Sequence, residues 1–426
     1  MRLIANLVLT RLLFPEAFGL MALITVVTAA ALMFSDFGFL GAVIQDPRGE
    51  EPAFLNTVWT MQIIRGVILA GLIMGFSGQI AAFYDEPMLA QMLLVSAFVP
   101  LIKGMESTKM LMANRTLQLE RATAIRLSAQ LFGAIATVVL AYWLESVWAL
   151  VLGNLFGPTL LVTLSHKLMS GHSNRLGFER AAFNALIKYS SFIFIASIAG
   201  FFGNHGDRAV LGKYVMLDEL AIYGIALTLA AVPLSLANAV ASRVIFPLYA
   251  RRPPAESQTN RRNINKARFL VTSPLLMLAA VLAVIGDPLI RLLYDVRYEA
   301  AGPYLVLIAL AGFPQIIAQS YFRVPLASGD SGRYATFQIL SAIVRFGLLL
   351  LLVPSFGLLG AILMLPVSTF ILYPVMLLLM HRYKAWDPVH DVIFLACGIA
   401  ITGLTYWLNA PVIDPLLEPL SVIYTR

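Results

Sequence analysis

Between residues 17 and 409 the sequence returns repeatedly to uninterrupted apolar stretches. Each is close to the ~20 residues that a helix needs to cross ~30 Å of hydrocarbon. Inside lipid every backbone N–H and C=O must be satisfied within the protein, so runs of this length and number select transmembrane helices. Composition agrees. The 426 residues are 59% hydrophobic and 12% charged, against ~25% charged in soluble domains, and the mean hydropathy is +0.82. The net charge of +7 reads as basic cytoplasmic loops, because no basic cluster is interleaved with aromatics as a nucleic-acid surface requires. The fold class is all-α: a polytopic helical membrane protein.

A weak internal repeat organises the chain. Residues 5–40 shifted by 202 lie on 207–242 without a gap. Val8 and Leu9 meet Val210 and Leu211, Arg11 meets Lys213, Glu16 meets Asp218, and Asp36 meets Asn238. The common pattern is a helix end, a basic residue, an acidic turn and an apolar helix ending in a polar residue. Internal repeats of this kind mark transporters built from two similar halves. The halves are expected at 1–168 and 187–380, with a polar linker at 169–184 and a further transmembrane helix at 390–409.

Taken in order, residues 1–14 are too short to span, and helices are expected at about 17–44, 53–80, 88–105, 125–143 and 147–168. Residues 106–124 read either as a surface-lying amphipathic segment or as an ordinary basic loop. The second half supplies 187–215, 219–248, 269–286, 301–323, 333–353 and 357–380, with 251–268 as the longest polar loop. The tail beyond 409, with Pro411, Pro415 and Pro419, is expected not to cross. Gly66, Gly71, Gly75 and Gly78 are candidates for close helix packing.

Loop charges set the orientation. Twenty Lys and Arg fall in loops after even-numbered helices, Lys188 and Arg268 among them. Six fall on the other side: Arg11, Arg208, Lys213, Arg291, Arg297 and Arg426. The positive-inside rule then places the N-terminus in the cytoplasm.

An arginine at mid-helix costs about 2.5–3.5 kcal/mol on insertion scales, so it should face protein or water. Arg65 and Arg345 are such residues; Asp36 and Arg243 lie nearer helix ends. Each is either functional or a snorkelling or structural pair. Arg11, Arg208 and Lys213 are further candidate substrate contacts, and Asp36 and Asp207 candidate ion-coupling groups. The five histidines lack metal-ligand spacing, and neither a G-x-x-x-x-G-K-[ST] phosphate loop nor a G-x-S-x-G elbow occurs. No metal, no cofactor and no enzymatic activity are expected. Cys397, the single cysteine, excludes an intrachain disulfide.

The segments LLFPEAFGLMAL (12–23), SDFGFLGAVIQ (35–45), NTVWTMQIIRG (56–66), AAFYDEPML (81–89), WALVLGN (148–154), NHGDRAVLGK (204–213) and FPLYARR (246–252) together resemble the polysaccharide (oligosaccharide) flippases of the multidrug/oligosaccharidyl-lipid/polysaccharide exporter superfamily. The resemblance implies two six-helix bundles in pseudo-twofold relation around a central cavity. It implies alternating-access translocation of undecaprenyl-pyrophosphate-linked oligosaccharide units across a bacterial inner membrane, for exopolysaccharide, capsule or O-antigen assembly. Membrane lipids and polysaccharide polymerase or export machinery are the implied partners. Against that family pattern the first helix lacks its N-terminal portion and a fourteenth helix is missing, so a mis-assigned start or a shortened gene is expected. In such a cavity Arg65 and Arg345 would neutralise the phosphates, since guanidinium binds phosphate bidentately. Two alternatives stand beside it. A multidrug exporter of the same fold would favour an acidic cavity. A membrane polysaccharide polymerase or ligase would need a large periplasmic loop, which the sequence lacks.

Overall fold

The computed structural model describes the backbone of residues 2–36 and 38–424, and their side chains save 2, 188–193, 195 and 418–424. The side chain of Lys188 and all of Arg426, both used in the charge count, lie outside the described residues. Among the described residues there is no strand, and ten helical segments are long and apolar enough to cross a membrane. The chain is a multi-pass membrane protein.

The helices, in order, are α1 (Arg2–Leu12), α2 (Pro15–Met33), α3 (Phe39–Gln45), α4 (Pro52–Tyr84), α5 (Pro87–Ser96), α6 (Phe98–Gly104), α7 (Lys109–Arg115), α8 (Leu119–Leu144), α9 (Trp148–Leu168) and α10 (Arg180–Tyr214). There follow α11 (Leu217–Val240), a π-helical turn (Ala241–Ile245), α12 (Phe246–Arg251), α13 (Gln258–Leu293), a 3₁₀ turn (Val296–Tyr298), α14 (Ala301–Ala311), α15 (Phe313–Ala318), α16 (Val324–Ala327), α17 (Ser331–Arg382) and α18 (Pro388–Tyr424). The ends of α1 and α10, and the starts of α2 and α11, are each 202 residues apart, the offset of the sequence repeat.

Several boundaries differ from the sequence expectation. The helix expected over 17–44 breaks after Met33. Ser35 Oγ donates back to the Ala31 carbonyl at 2.6 Å, Asp36 Oδ1 accepts the Gly38 N–H at 2.8 Å, and Gly38 turns at φ 60°. Asp two residues before Gly is turn chemistry, and the left-handed φ suits glycine. The polar stretch 251–268 is mostly helix: Ser257 Oγ caps the Asn260 N–H at 3.0 Å, and α13 runs from Gln258. Arg, Lys and Gln are good helix formers, so their polarity did not mark a loop. Residues 106–124 form no single surface helix; α7 is short, with Lys109 and Met110 buried. The last helix does not stop at 409 but continues through Pro411, Pro415 and Pro419 to Tyr424. Each proline gives up one backbone bond, while in lipid leaving the helix would expose many. Within α17, Gly357 (φ 53°, ψ −128°) separates the two helices expected at 333–353 and 357–380.

Glycine packing is selective. A Cβ on Gly66 would meet the Pro100 carbonyl at 2.8 Å, and one on Gly104 the Gln62 carbonyl at 2.5 Å, so these two let α4 and α6 touch. Gly71, Gly75 and Gly78 meet nothing within 4 Å and do not serve the packing role expected of them.

The chain divides into two compact units, Met1–Lys213 and Tyr214–Arg426. The polar linker is strapped to the first unit. Asn56 Oδ1 accepts the Arg175 N–H, Thr60 Oγ1 the Gly177 N–H and Thr57 Oγ1 the Glu179 N–H, at 2.9–3.0 Å. Beyond it, Ala182 and Leu186 of α10 pack with Phe39, Val43, Phe54 and Val58. A separate core in the second unit gathers Ile245, Tyr249, Ile264, Tyr321, Phe337 and Met376.

Candidate functional site

Within the first unit, one face of α4 (Arg65, Ile68, Leu69, Leu72, Ile73, Phe76, Ile80, Phe83) recurs at helical spacing. With Val26, Val27, Ala30, Ala31 and Phe34 of α2 and its end, and Phe201, Phe202 and Ala209 of α10, it lines an open cavity of about 830 Å³. The lining is almost wholly apolar; among the described residues Ser35, Gln79, Tyr84 and Arg65 are its polar members, and Arg65 is its one cation.

The break after Met33 explains why Arg65 is tolerated. A helix leaves its last four carbonyls without intrahelical partners. Arg65 Nη2 donates to one of these, Leu32 O, and Nε donates to Ser35 Oγ at 2.9 Å. The Phe39 ring lies 5.9 Å from the guanidinium carbon. A cation at a helix C-terminus also meets the favourable end of the helix dipole. Guanidinium has five donors, and these two bonds use one each of the Nε and Nη2 hydrogens. Both acceptors are neutral. Asp36 acts on Arg65 only through space; its own oxygens accept from Gly38 N–H at 2.8 Å and Ser197 Oγ at 3.4 Å. Arg65 and Asp36 are thus brought to one place, with the positive charge beside an apolar hollow.

The other sequence candidates sit differently. Lys213 Nζ pairs with Asp85 at 2.5 Å, 5.6 Å from the Phe83 ring, and Tyr84 OH donates to the Ala209 carbonyl at 3.2 Å. These bonds latch α10 to the end of α4, next to the cavity lining. Asp207 and Arg208 precede Ala209, and Asp207 Oδ1 accepts the Arg208 backbone N–H at 2.8 Å. Arg11 is exposed at the end of α1. Arg345 belongs to the second unit, on α17, where its Nε is buried without a hydrogen-bond partner among the described residues. Arg243 is exposed in the π-helical turn.

The second unit holds a buried polar network that sequence reading missed. Arg268, assigned above to a cytoplasmic loop, is fully buried in α13. Its guanidinium carbon lies 4.2 Å from the Tyr321 ring centroid, Nη2 donates to Tyr249 OH, and Nε and Nη1 have no hydrogen-bond partner among the described residues. Asp391 accepts from Tyr321 OH at 2.8 Å and Tyr373 OH at 2.6 Å, and lies 2.8 Å from His390 Nδ1. His390 Nε2 is 3.0 Å from Thr272 Oγ1. A signal existed: Ile264, Arg268, Thr272, Leu275 and Ala279 recur at helical spacing, so Arg268 falls on the stripe that α13 buries. Among the described residues, no group of three or more His, Cys, Asp or Glu is placed to hold a metal ion.

Residues 8–303 match the family described as polysaccharide biosynthesis protein. The chain belongs to that family. As a polysaccharide biosynthesis family member, it is 24% identical over 312 residues to teichuronic acid biosynthesis protein TuaB of Bacillus subtilis, covering 71% of this chain and 62% of that protein. It is 23% identical to lipopolysaccharide biosynthesis protein WzxC of Escherichia coli (73% and 63% covered) and 23% identical to succinoglycan biosynthesis transport protein ExoT of Rhizobium meliloti (71% and 61%). The match thus spans about three fifths of the length of these relatives. Among solved structures, an inward-facing multidrug resistance MATE family transporter of the MOP superfamily superposes with a TM-score of 0.63 at 14% identity, covering 90% of this chain and 96% of that one. This family member therefore shares the fold of that structure.

Proposed function

We propose that the chain translocates lipid-linked oligosaccharide repeat units across a bacterial inner membrane, for exopolysaccharide, capsule or O-antigen assembly. It does so by alternating access and without an enzymatic step. The observation that carries this reading is Arg65: one guanidinium with neutral hydrogen-bond partners, beside a largely apolar cavity. A phosphate-bearing lipid has that complementarity, because its charge cannot enter ~30 Å of hydrocarbon without a counter-charge while its chain requires apolar walls. Relatives named for lipopolysaccharide biosynthesis and succinoglycan transport support the substrate class.

In the finer reading the carrier is undecaprenyl pyrophosphate and Arg65 is its principal contact. Arg345, Arg11, Arg208 and Lys213 are secondary contacts, and Asp36 or Asp207 carries the coupling ion. The translocated unit passes to polymerase or export machinery. The halves 1–168 and 187–380 form two six-helix repeats, supported by the shared 202-residue offset of the α1–α2 and α10–α11 turns, and the N-terminus faces the cytoplasm.

The test is reconstitution into proteoliposomes carrying a lipid-linked oligosaccharide whose terminal sugar is oxidised by an impermeant reagent. Protein-dependent exposure of the protected half of the glycolipid is expected, with no uptake of ethidium. Ethidium transport without glycolipid movement would establish the multidrug exporter instead.

A further inference from the structure

A second concavity lies wholly within the second unit, between the first five turns of α13 and the start of α18, with a volume of about 1360 Å³. Its character changes along α13. Arg261, Arg262 and Lys266 line one end, and Leu270 and Pro274 the other, with Val389 of α18 beside them. Arg262, Lys266, Leu270 and Pro274 follow one another at four-residue intervals, so they form a single stripe. All four are exposed, Leu270 by 77%.

The depth of this change is set by length. At 1.5 Å per residue α13 is ~54 Å long, against ~30 Å of hydrocarbon, so its opening turns stand at headgroup level while the later turns lie among acyl chains. Among the described residues, none of the three cations has a carboxylate within ion-pair distance. Arg261 Nη2 donates to the Trp386 carbonyl at 3.2 Å. The acid of the groove, Asp387, is itself buried and caps α18 by accepting the His390 N–H at 3.3 Å.

We propose that this groove binds an anionic glycerophospholipid of the bilayer. The phosphate meets Arg262 and Lys266, with Arg261 adjoining, and the first acyl carbons lie along Leu270, Pro274 and Val389. Basic pockets between transmembrane helices recognise anionic headgroups in this manner. A zwitterionic lipid brings its own cation to the site and gains less. The proposal does not depend on what the Arg65 cavity transports.

The experiment titrates phosphatidylglycerol, phosphatidylcholine or free glycerol phosphate into the purified full chain in neutral detergent and follows its melting temperature. Saturable stabilisation is expected with phosphatidylglycerol alone. In Arg262→Gln/Lys266→Gln the half-saturation point should rise about 25-fold, since each juxtamembrane cation contributes about fivefold. The melting temperature without lipid should be unchanged. Arg121→Gln/Arg175→Gln, which removes two exposed cations of the first unit, should leave the titration as in the wild type. Equal weakening in both double variants would mean diffuse attraction and would overturn the site. So would equal stabilisation by phosphatidylcholine, or stabilisation by glycerol phosphate at matched concentration.

Discussion

Arg65 and Arg268 are 203 residues apart, one more than the repeat offset, and each lies three to four turns into a long helix, α4 and α13. Their surroundings diverge. Arg268 is closed in by the rings of Tyr249 and Tyr321, with Asp391 reached only through Tyr321. Arg65 caps the broken end of α2 and keeps one flank on an open apolar cavity. A guanidinium enclosed by side chains serves the architecture, because it fills the space between the rings and removing it would leave a cavity. One that borders a cavity and has only neutral hydrogen-bond partners has charge left for a ligand. The difference comes from the Ser35–Gly38 break, which frees the Leu32 carbonyl.

The largest effect that sharpens this contrast is on stability. Arg268→Ala should destabilise the protein by ~3–5 kcal/mol, as for truncating a large, fully buried side chain to alanine, read as a fall in membrane abundance and melting temperature. An Arg268→Ala protein as stable as wild type would erase the distinction. Next, Tyr373→Phe removes one of the donors holding Asp391 and should cost ~1.5–3 kcal/mol, typical of a hydrogen bond to a charged group; thermal melts in detergent report it. Ser35→Ala should cost only ~1 kcal/mol, with glycan export retained, because Leu32 O still holds Arg65. Smallest is Asp85→Asn at the exposed Lys213 pair, expected at ~0–1 kcal/mol by the same melts; a destabilisation above ~2 kcal/mol would give that latch a structural weight like that of the buried network.

Much of the fold was legible because length and hydropathy are one-dimensional signals. Spans such as Pro52–Tyr84 and Trp148–Leu168 follow directly from apolar run length. Arg65 was legible for a related reason, since a lone charge in an apolar run is conspicuous. Arg268 was not, because it ends a polar stretch, and only the periodicity through Ile264, Thr272 and Leu275 reveals its inward face. The cavity and the α2 break were partly hidden: Asp36 and Gly38 announce a turn, but that the freed carbonyl would be met by Arg65 depends on how α4 packs beside α2. The strap formed by residues 174–179 was hidden as well, because its composition reads as linker while its backbone is anchored on Asn56, Thr57 and Thr60.

The central claim is that Arg65 contacts the anionic group of the transported lipid. Its most direct test is complementation of glycan export in a flippase-null strain by Arg65→Ala and Arg65→Lys, with the membrane-resident protein quantified alongside. Lysine keeps the charge without the bidentate fork. The account predicts export abolished with alanine and partly retained with lysine. Both proteins should be present within about twofold of wild type, since alanine gives up only two hydrogen bonds to neutral acceptors, worth ~1 kcal/mol each. An Arg65→Ala protein that is well expressed and exports fully would contradict it.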